Sequence, residues 1–174
     1  LDNSVDYVLD EKKASRSQNA DSLQAAVDYA LNKDKTEQDL FCSAIGCTLD
    51  SAFEDMCQIK RMWHKEKGVQ GFHLVQSFAA GEVTPELAHQ IGQELAYRLL
   101  GGRFQVVIST HLNTGHIHNH LVWNSVSIQT GKKYRSNEKS YVTGARRISD
   151  ELCRKYHLSV IDTEISERVA RPYA

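Results

Sequence analysis

Apolar residues along this chain switch repeatedly between helical and strand spacing, and the order of the switches outlines a domain. Near the start, Leu1-Asp2-Asn3-Ser4-Val5-Asp6-Tyr7-Val8-Leu9 is echoed by Leu23-Gln24-Ala25-Ala26-Val27-Asp28-Tyr29-Ala30-Leu31, with one tyrosine at the same point of each. The repeat predicts two short amphipathic helices joined by the polar stretch from Ser15 to Asp21. Residues 39–46 read as a strand ending at Gly46, and residues 50–64 as a helix with Phe53, Met56, Ile59 and Met62 on its apolar side. Phe72 to Phe78 alternates in part and reads as a strand. The clearest helix follows: Thr84 caps it, Pro85 suits its first turn and Glu86 complements the positive end of its dipole. Leu87, Ile91, Leu95 and Leu99 form its stripe, and Gly101-Gly102 stops it. A strand over 104–111 and a final helix over 143–156, packing through Ile148, Leu152 and Tyr156, complete the pattern.

Strand 72–78, helix 84–100 and strand 104–111 make a βαβ crossover, expected to be right-handed with its two strands parallel. Asn113-Thr114-Gly115 is turn chemistry, so residues 104–111 and 116–128 should form an antiparallel hairpin that extends the sheet. The expected class is α+β, a mixed, largely antiparallel sheet with flanking helices. At 174 residues the chain is read as a single domain. An amphipathic pattern already under way at Leu1 leads us to expect a native N-terminal strand and a longer C-terminal region outside this numbering, and the tail from Asp162 is expected to be loosely held.

Composition adds compartment and partner. No apolar run has the length of a membrane span and no secretory pattern opens the sequence, so a cytoplasmic location without membrane insertion is expected. Cys42, Cys47, Cys57 and Cys153 have no CxxC spacing, which disfavours a zinc knuckle or a redox pair. A net charge of −1 argues by itself against nucleic acid, yet the charge is unevenly spread. Lys132, Lys133, Arg135, Arg146 and Arg147 fall in a basic stretch interleaved with Tyr134 and Tyr141, a composition suited to neutralising phosphates and stacking bases.

The chemistry concentrates in His111-Leu112-Asn113-Thr114-Gly115-His116-Ile117-His118-Asn119-His120, which holds four of the eight histidines. Strand periodicity puts residues 116, 118, 120, 122 and 124 on one face, and the hairpin brings His111 beside His118 and His120. Three neutral imidazoles on a sheet face can hold a divalent ion and leave positions open for a substrate oxygen. His64, His73, His89 and His157 lie outside the cluster and are not expected to contribute. Zinc hydrolysis would call for a nearby Glu as general base, and non-haem iron for a carboxylate ligand; the cluster has neither. A tyrosine is the nucleophile on offer, and a free phenol, with a pKa of about 10, needs a nearby cation or base to attack at neutral pH.

At this point the sequence resembles a known family. His111-x-Asn113-x-x-His116-x-His118-x-His120-x-x-x-Asn124 is similar to the third motif of relaxases, the HUH-type nicking enzymes of conjugative and mobilisable elements. Asp28-Tyr29 with Asn32 and Lys35-Thr36 is similar to the family's tyrosine motif, and Gln76-Ser77-Phe78 through Gly81 to Glu86 resembles the entry to its central helix. Arg147 to Cys153 also looks familial. The resemblance implies an HUH endonuclease fold with His111, His118 and His120 as ligands of a divalent metal, manganese or magnesium first and zinc as an option. It implies nicking and rejoining of single-stranded or hairpin DNA at an origin of transfer through a 5′-phosphotyrosyl intermediate, with accessory relaxosome and coupling proteins as partners. Tyr29 is the preferred nucleophile and Tyr7 the other candidate, since the repeat makes both arguments possible. Asn113 stands where most relatives carry Asp, so it can hydrogen-bond but not supply charge; His116 and Asn124 are candidate substrate or ligand-orienting contacts. A rolling-circle initiator or transposase, or a degenerate metal-dependent DNA-binding module, is the alternative.

Overall fold

The computed structural model describes residues 14–113, 115–135 and 138–160. Its sheet has five strands: β1 (Ala14–Ser17), β2 (Cys42–Ile45), β3 (Gly71–Ser77), β4 (Val106–His111) and β5 (His118–Asn124), in the order β1-β3-β5-β4-β2. Every hydrogen-bonded neighbour is antiparallel. The helices are α1 (Ala20–Ala30), the single turn α2 (Gln38–Phe41), α3 (Ala52–Met62), α4 (Pro85–Leu100) and α5 (Glu138–Lys155).

Alternation along the strands separates two layers. Phe72, Leu74, Ile108, Leu121 and Trp123 face α4 and α5, whose Ile91, Leu95, Ile148 and Leu152 complete the larger core. On the other face Val107 and Val122 pack against Leu23, Val27 and Ala30 of α1 and Ala52 and Met56 of α3. The histidines lie on this second face, against the C-terminal end of α1.

The α+β class stands, and three details differ from the sequence expectation. β3 and β4 do run parallel across the α4 crossover, but they are not neighbours, because β5 lies between them. The hairpin therefore fills the sheet centre instead of extending an edge, which buries Asn119 to Asn124 on both faces. Near the start, residues 14–17 form an edge strand where a helix linker was expected, with Ser17 opposite Gly71. α1 begins in a capping box, Asn19 Oδ1 accepting from Ser22 N at 2.8 Å and Ser22 Oγ from Asn19 N at 3.2 Å. Residues 39–46 divide between the α2 turn and β2. The first copy of the repeat, with Tyr7, and the tail from Asp162 lie outside the described residues.

α4 behaves as its pattern predicts. Thr84 Oγ1 accepts from Leu87 N at 3.2 Å, Pro85 opens the helix, and Gly101 closes it at φ 60 in the left-handed region. Its Gly92 permits a close crossing: an added Cβ would lie 2.7 Å from Asn119 Nδ2 and 3.2 Å from Ile108 Cγ2.

Candidate metal centre and active site

The β4–β5 register sets His111 opposite His118, and His120 falls one pleat further along on the same face. Ring centroids are 4.1 Å apart for His111 and His120, 5.0 Å for His118 and His120, and 5.3 Å for His111 and His118. Each ring offers one nitrogen, and the three lie within 4.8 Å of one another. Their other nitrogens are engaged. His111 Nε2–H donates to the Ala30 carbonyl at 2.8 Å, and His118 Nδ1–H to the His116 carbonyl at 3.1 Å. His120 Nδ1 meets His73 Nε2 at 2.7 Å. With His73 accepting, the His120 lone pair is on Nε2. Buried His111 Nδ1 and His120 Nε2 have no hydrogen-bond partner, as befits lone pairs turned toward a cation.

Charge reinforces the geometry. Burial, then repulsion from the other imidazoles, lowers His120; burial chiefly lowers His111 to about 4 and His73 to about 4. His73, His111 and His120 are therefore neutral near pH 7, the state in which imidazole binds a metal.

Tyr29 stands over this group. Its ring centroid is 5.5 Å from that of His111 and 5.3 Å from that of His120, with Lys35 Nζ 5.1 Å from the phenol ring. Two bonds fasten the chain after α1 to the end of β4: Leu112 N donates to the Lys35 carbonyl at 2.8 Å, and buried Thr36 Oγ1 donates to the Thr110 carbonyl at 2.6 Å. Tyr29 remains 45 % exposed, within reach of a large substrate.

Behind the histidines runs a one-way chain of side-chain hydrogen bonds. Gln93 Nε2 donates to Ser43 Oγ at 2.8 Å, which donates to His89 Nε2 at 2.6 Å. His89 Nδ1–H then donates to Thr110 Oγ1 at 3.0 Å, and Thr110 to Asn119 Oδ1 at 2.6 Å. Asn119 Nδ2 donates to Gln76 Oε1 at 3.0 Å and the Ala88 carbonyl at 2.7 Å, and Gln76 Nε2 to Ser149 Oγ at 2.6 Å. Since Asn119 lies between two candidate ligands on β5, these bonds fix that strand against α4 from the back.

Other residues singled out in the sequence fall elsewhere. Asn113 is exposed in the turn, and His116 contributes its carbonyl to the His118 contact. Asn124 shares the histidine face but at the far end of β5, where buried Asn124 Nδ2 donates to the Met56 carbonyl and Gln105 Oε1 at 3.2 and 2.9 Å instead of to an imidazole. Lys132 and Lys133 also lie at that far end, the Lys133 ammonium donating to the Lys67 and Val69 carbonyls. Exposed Arg135 follows them, and Arg146 and Arg147 are on α5, behind the opposite face of the sheet. None of the five converges on the histidines. Tyr134 is half-buried and packs against the larger core, its ring 5.0 Å from Phe72, 5.3 Å from Phe104 and 5.7 Å from Trp123; the side chain of Tyr141 lies outside the described ones. His73 was not expected at the centre. Its signal was its place in strand 72–78, but only the β3–β5 register, with His73 opposite Val122 and Val75 opposite His120, brings it to the His120 ring.

The chain that carries these three histidines and the exposed tyrosine is similar to known proteins. A family model described as "Relaxase: MobA/VirD2-like, nuclease domain" matches residues 29–158, and the chain belongs to that family. It is 37% identical over 149 residues to "Protein rlx" of Staphylococcus aureus, covering 86% of this chain and 45% of that protein. Identity is 29% over 196 residues with "Group II intron-interrupted relaxase LtrB" of Lactococcus lactis subsp. cremoris (strain MG1363), covering 90% of this chain and 35% of the relative. The chain thus spans less than half the length of these relatives. A solved structure described as "Molecular Basis of Vancomycin Resistance Transfer in Staphylococcus aureus" shares the fold at a TM-score of 0.52 and 11% identity, over 84% of this chain and 94% of that one. Among the described residues no helix is long and apolar enough to cross a membrane.

Proposed function

We propose that this domain nicks and rejoins one strand of DNA at the origin of transfer of a plasmid or integrative element, through a 5′-phosphotyrosyl bond to Tyr29. The observation that carries the reading is the exposed Tyr29 ring lying 5.3 to 5.5 Å from the rings of His111 and His120. Tyr29 Oη attacks the scissile phosphorus and gives its proton to solvent, the bond to the 3′ oxygen breaks, and that oxygen takes up a proton from solvent to leave as a 3′-hydroxyl. One phosphodiester replaces another, so the reverse attack reseals the strand without an external energy source.

His111, His118 and His120 would hold a divalent metal, manganese or magnesium first, and the neutral nitrogens turned inward fit that assignment. When bound, the metal supplies Lewis-acid polarisation of the scissile phosphate and charge stabilisation in the transition state. Lys35 adds a positive charge beside the Tyr29 ring, where it can attract the anionic phosphate. His73 and the Ala30 and His116 carbonyls keep the three rings in their binding tautomers. Single-stranded or hairpin DNA is the substrate on this reading, and accessory and coupling proteins assemble around the complete relaxase in the bacterial cytoplasm.

The test is incubation with labelled single-stranded DNA spanning the cognate origin, with manganese or magnesium and with a chelator. A covalent adduct plus a free 3′-hydroxyl product, both lost in chelator, is expected. Metal-dependent binding without cleavage would instead identify a degenerate binding module.

A further inference from the structure

The end of the sheet remote from the histidines carries a second cluster, made of segments far apart in sequence. α3 ends at Met62, and residues 61–68 are all exposed. Arg61, Lys65 and Lys67 project from this stretch, where Glu66 is the one acid. Residues 131–133 lie against it: the Lys133 ammonium clips to the Lys67 and Val69 carbonyls, and the Trp63 ring rests where a Gly131 side chain would be. Gly131 has φ 67, so this contact requires glycine in both respects.

Cations outnumber acids here. Among the described residues the ion pairs are Arg98–Glu151 and Lys155–Glu94, both between α4 and α5. Lys65 lies near enough to Lys133, and Lys133 to Lys60, for their charges to repel, while burial acts first on both Lys133 and Lys60. Lys60 Nζ is buried below the cluster with no hydrogen-bond partner. In its midst Trp63 is 38 % exposed, a large aromatic surface among cations. Mutually repelling cations around an open indole complement a chain of phosphates bearing bases.

We propose that Arg61, Trp63, Lys65, Lys67 and Lys132 form a docking surface for single-stranded DNA, distinct from the metal centre. Phosphates meet the cations and one base stacks on Trp63, while Lys133 holds the two segments together. The proposal rests on the relaxase reading of the domain and extends the path of its DNA. From His118 to Asn124 is six residues of β5, about 20 Å at the rise of a strand. That span corresponds to roughly six nucleotides of a stacked strand. The surface therefore holds DNA flanking the reacting phosphate and adds affinity without touching the chemistry.

The chain has two tryptophans, and Trp123 is fully buried, so emission changes caused by a stacked base report Trp63. The whole chain is titrated with oligothymidylate of about 18 nucleotides across a salt series. We expect quenching that Trp63→Phe abolishes, and a slope of log K against log salt that flattens in the Lys65→Ala/Lys67→Ala/Lys132→Ala protein by about 0.7 for each lost phosphate contact. These positions are exposed, and an unchanged thermal midpoint will show that the variants fold. Quenching retained in Trp63→Phe, an unchanged salt slope, or equal quenching by a blunt duplex would overturn the proposal. Tyr29→Phe should quench like the parent protein, so failure of the covalent chemistry leaves this result standing, and a normal covalent adduct without Trp63 quenching refutes the docking surface alone.

Discussion

At His120 one ring faces two partners, a candidate metal through Nε2 and His73 through Nδ1 at 2.7 Å. Removing the acceptor leaves the ring free to turn, and contacts of this kind are typically worth 10–100-fold in metal affinity. His73→Ala should weaken manganese binding within that range by titration calorimetry, whereas His73→Gln, whose Oε1 can accept the same hydrogen, should recover most of the loss. Equal affinity in the Ala variant would remove His73 from the centre. His111 and His118 should also separate. His118 is partly exposed, so His118→Ala should abolish metal binding with little change in stability. His111 is fully buried and ties β4 to the end of α1 through the Ala30 carbonyl. Its replacement by Ala should cost about 1–3 kcal/mol in urea unfolding as well, because that carbonyl loses its partner. The triad was readable because two ligands alternate on one strand and the third begins the preceding turn; His73 was not, since its strand reaches the centre only through register.

Among the elements, the contact of α4 with β4 and β5 controls the centre from behind. Gly92→Ala pushes a methyl group toward the Asn119 amide and Ile108, so β5 must shift or Asn119 must lose a bond. We expect destabilisation of about 1–3 kcal/mol and weaker metal binding, measured by urea unfolding and calorimetry on the same protein; an unchanged metal affinity would show that the chain of hydrogen bonds does not position the ligands. This layer escaped the sequence pattern. Gln76, Thr110 and Asn119 read as ordinary strand polarity, although they face the α4–α5 core, where each needs a partner from another element. The place of β5 escaped it for a related reason. A hairpin partner can add to either side of β4, and local pattern does not reveal the gap that the α4 crossover leaves beside β3. On α3 the pattern was partly misleading: Met56 is buried as expected, but Met62 is 64 % exposed and Lys60 is in the interior.

Across the whole molecule, the buried histidines make stability depend on pH. In the folded protein His73 and His111 are held down to about 4, mainly by burial, and burial also lowers His89. Unfolded, each titrates near 6.5. Below that value the unfolded chain binds more protons than the folded one, so the stabilisation is complete above pH 6.5 and is lost as pH falls toward 4. For metal-free protein the urea midpoint should fall between pH 6.5 and 5, before most carboxylates titrate, and fall less in His73→Gln; a flat midpoint over that interval would contradict the neutral, buried state of the cluster. The clustering of the three histidines was thus legible in local pattern, whereas the basic surface was not, because the residues near 132 join α3 only in the folded chain.

The central claim is that Tyr29, placed beside the histidines by α1, makes the covalent bond to DNA. Its most direct test is to trap the adduct on labelled origin DNA, digest the protein and sequence the labelled peptide. Label on the Tyr29 peptide, with no adduct formed by a Tyr29→Phe protein that still binds DNA, is the predicted result. Label on the peptide containing Tyr7, or an adduct that survives Tyr29→Phe, would contradict it.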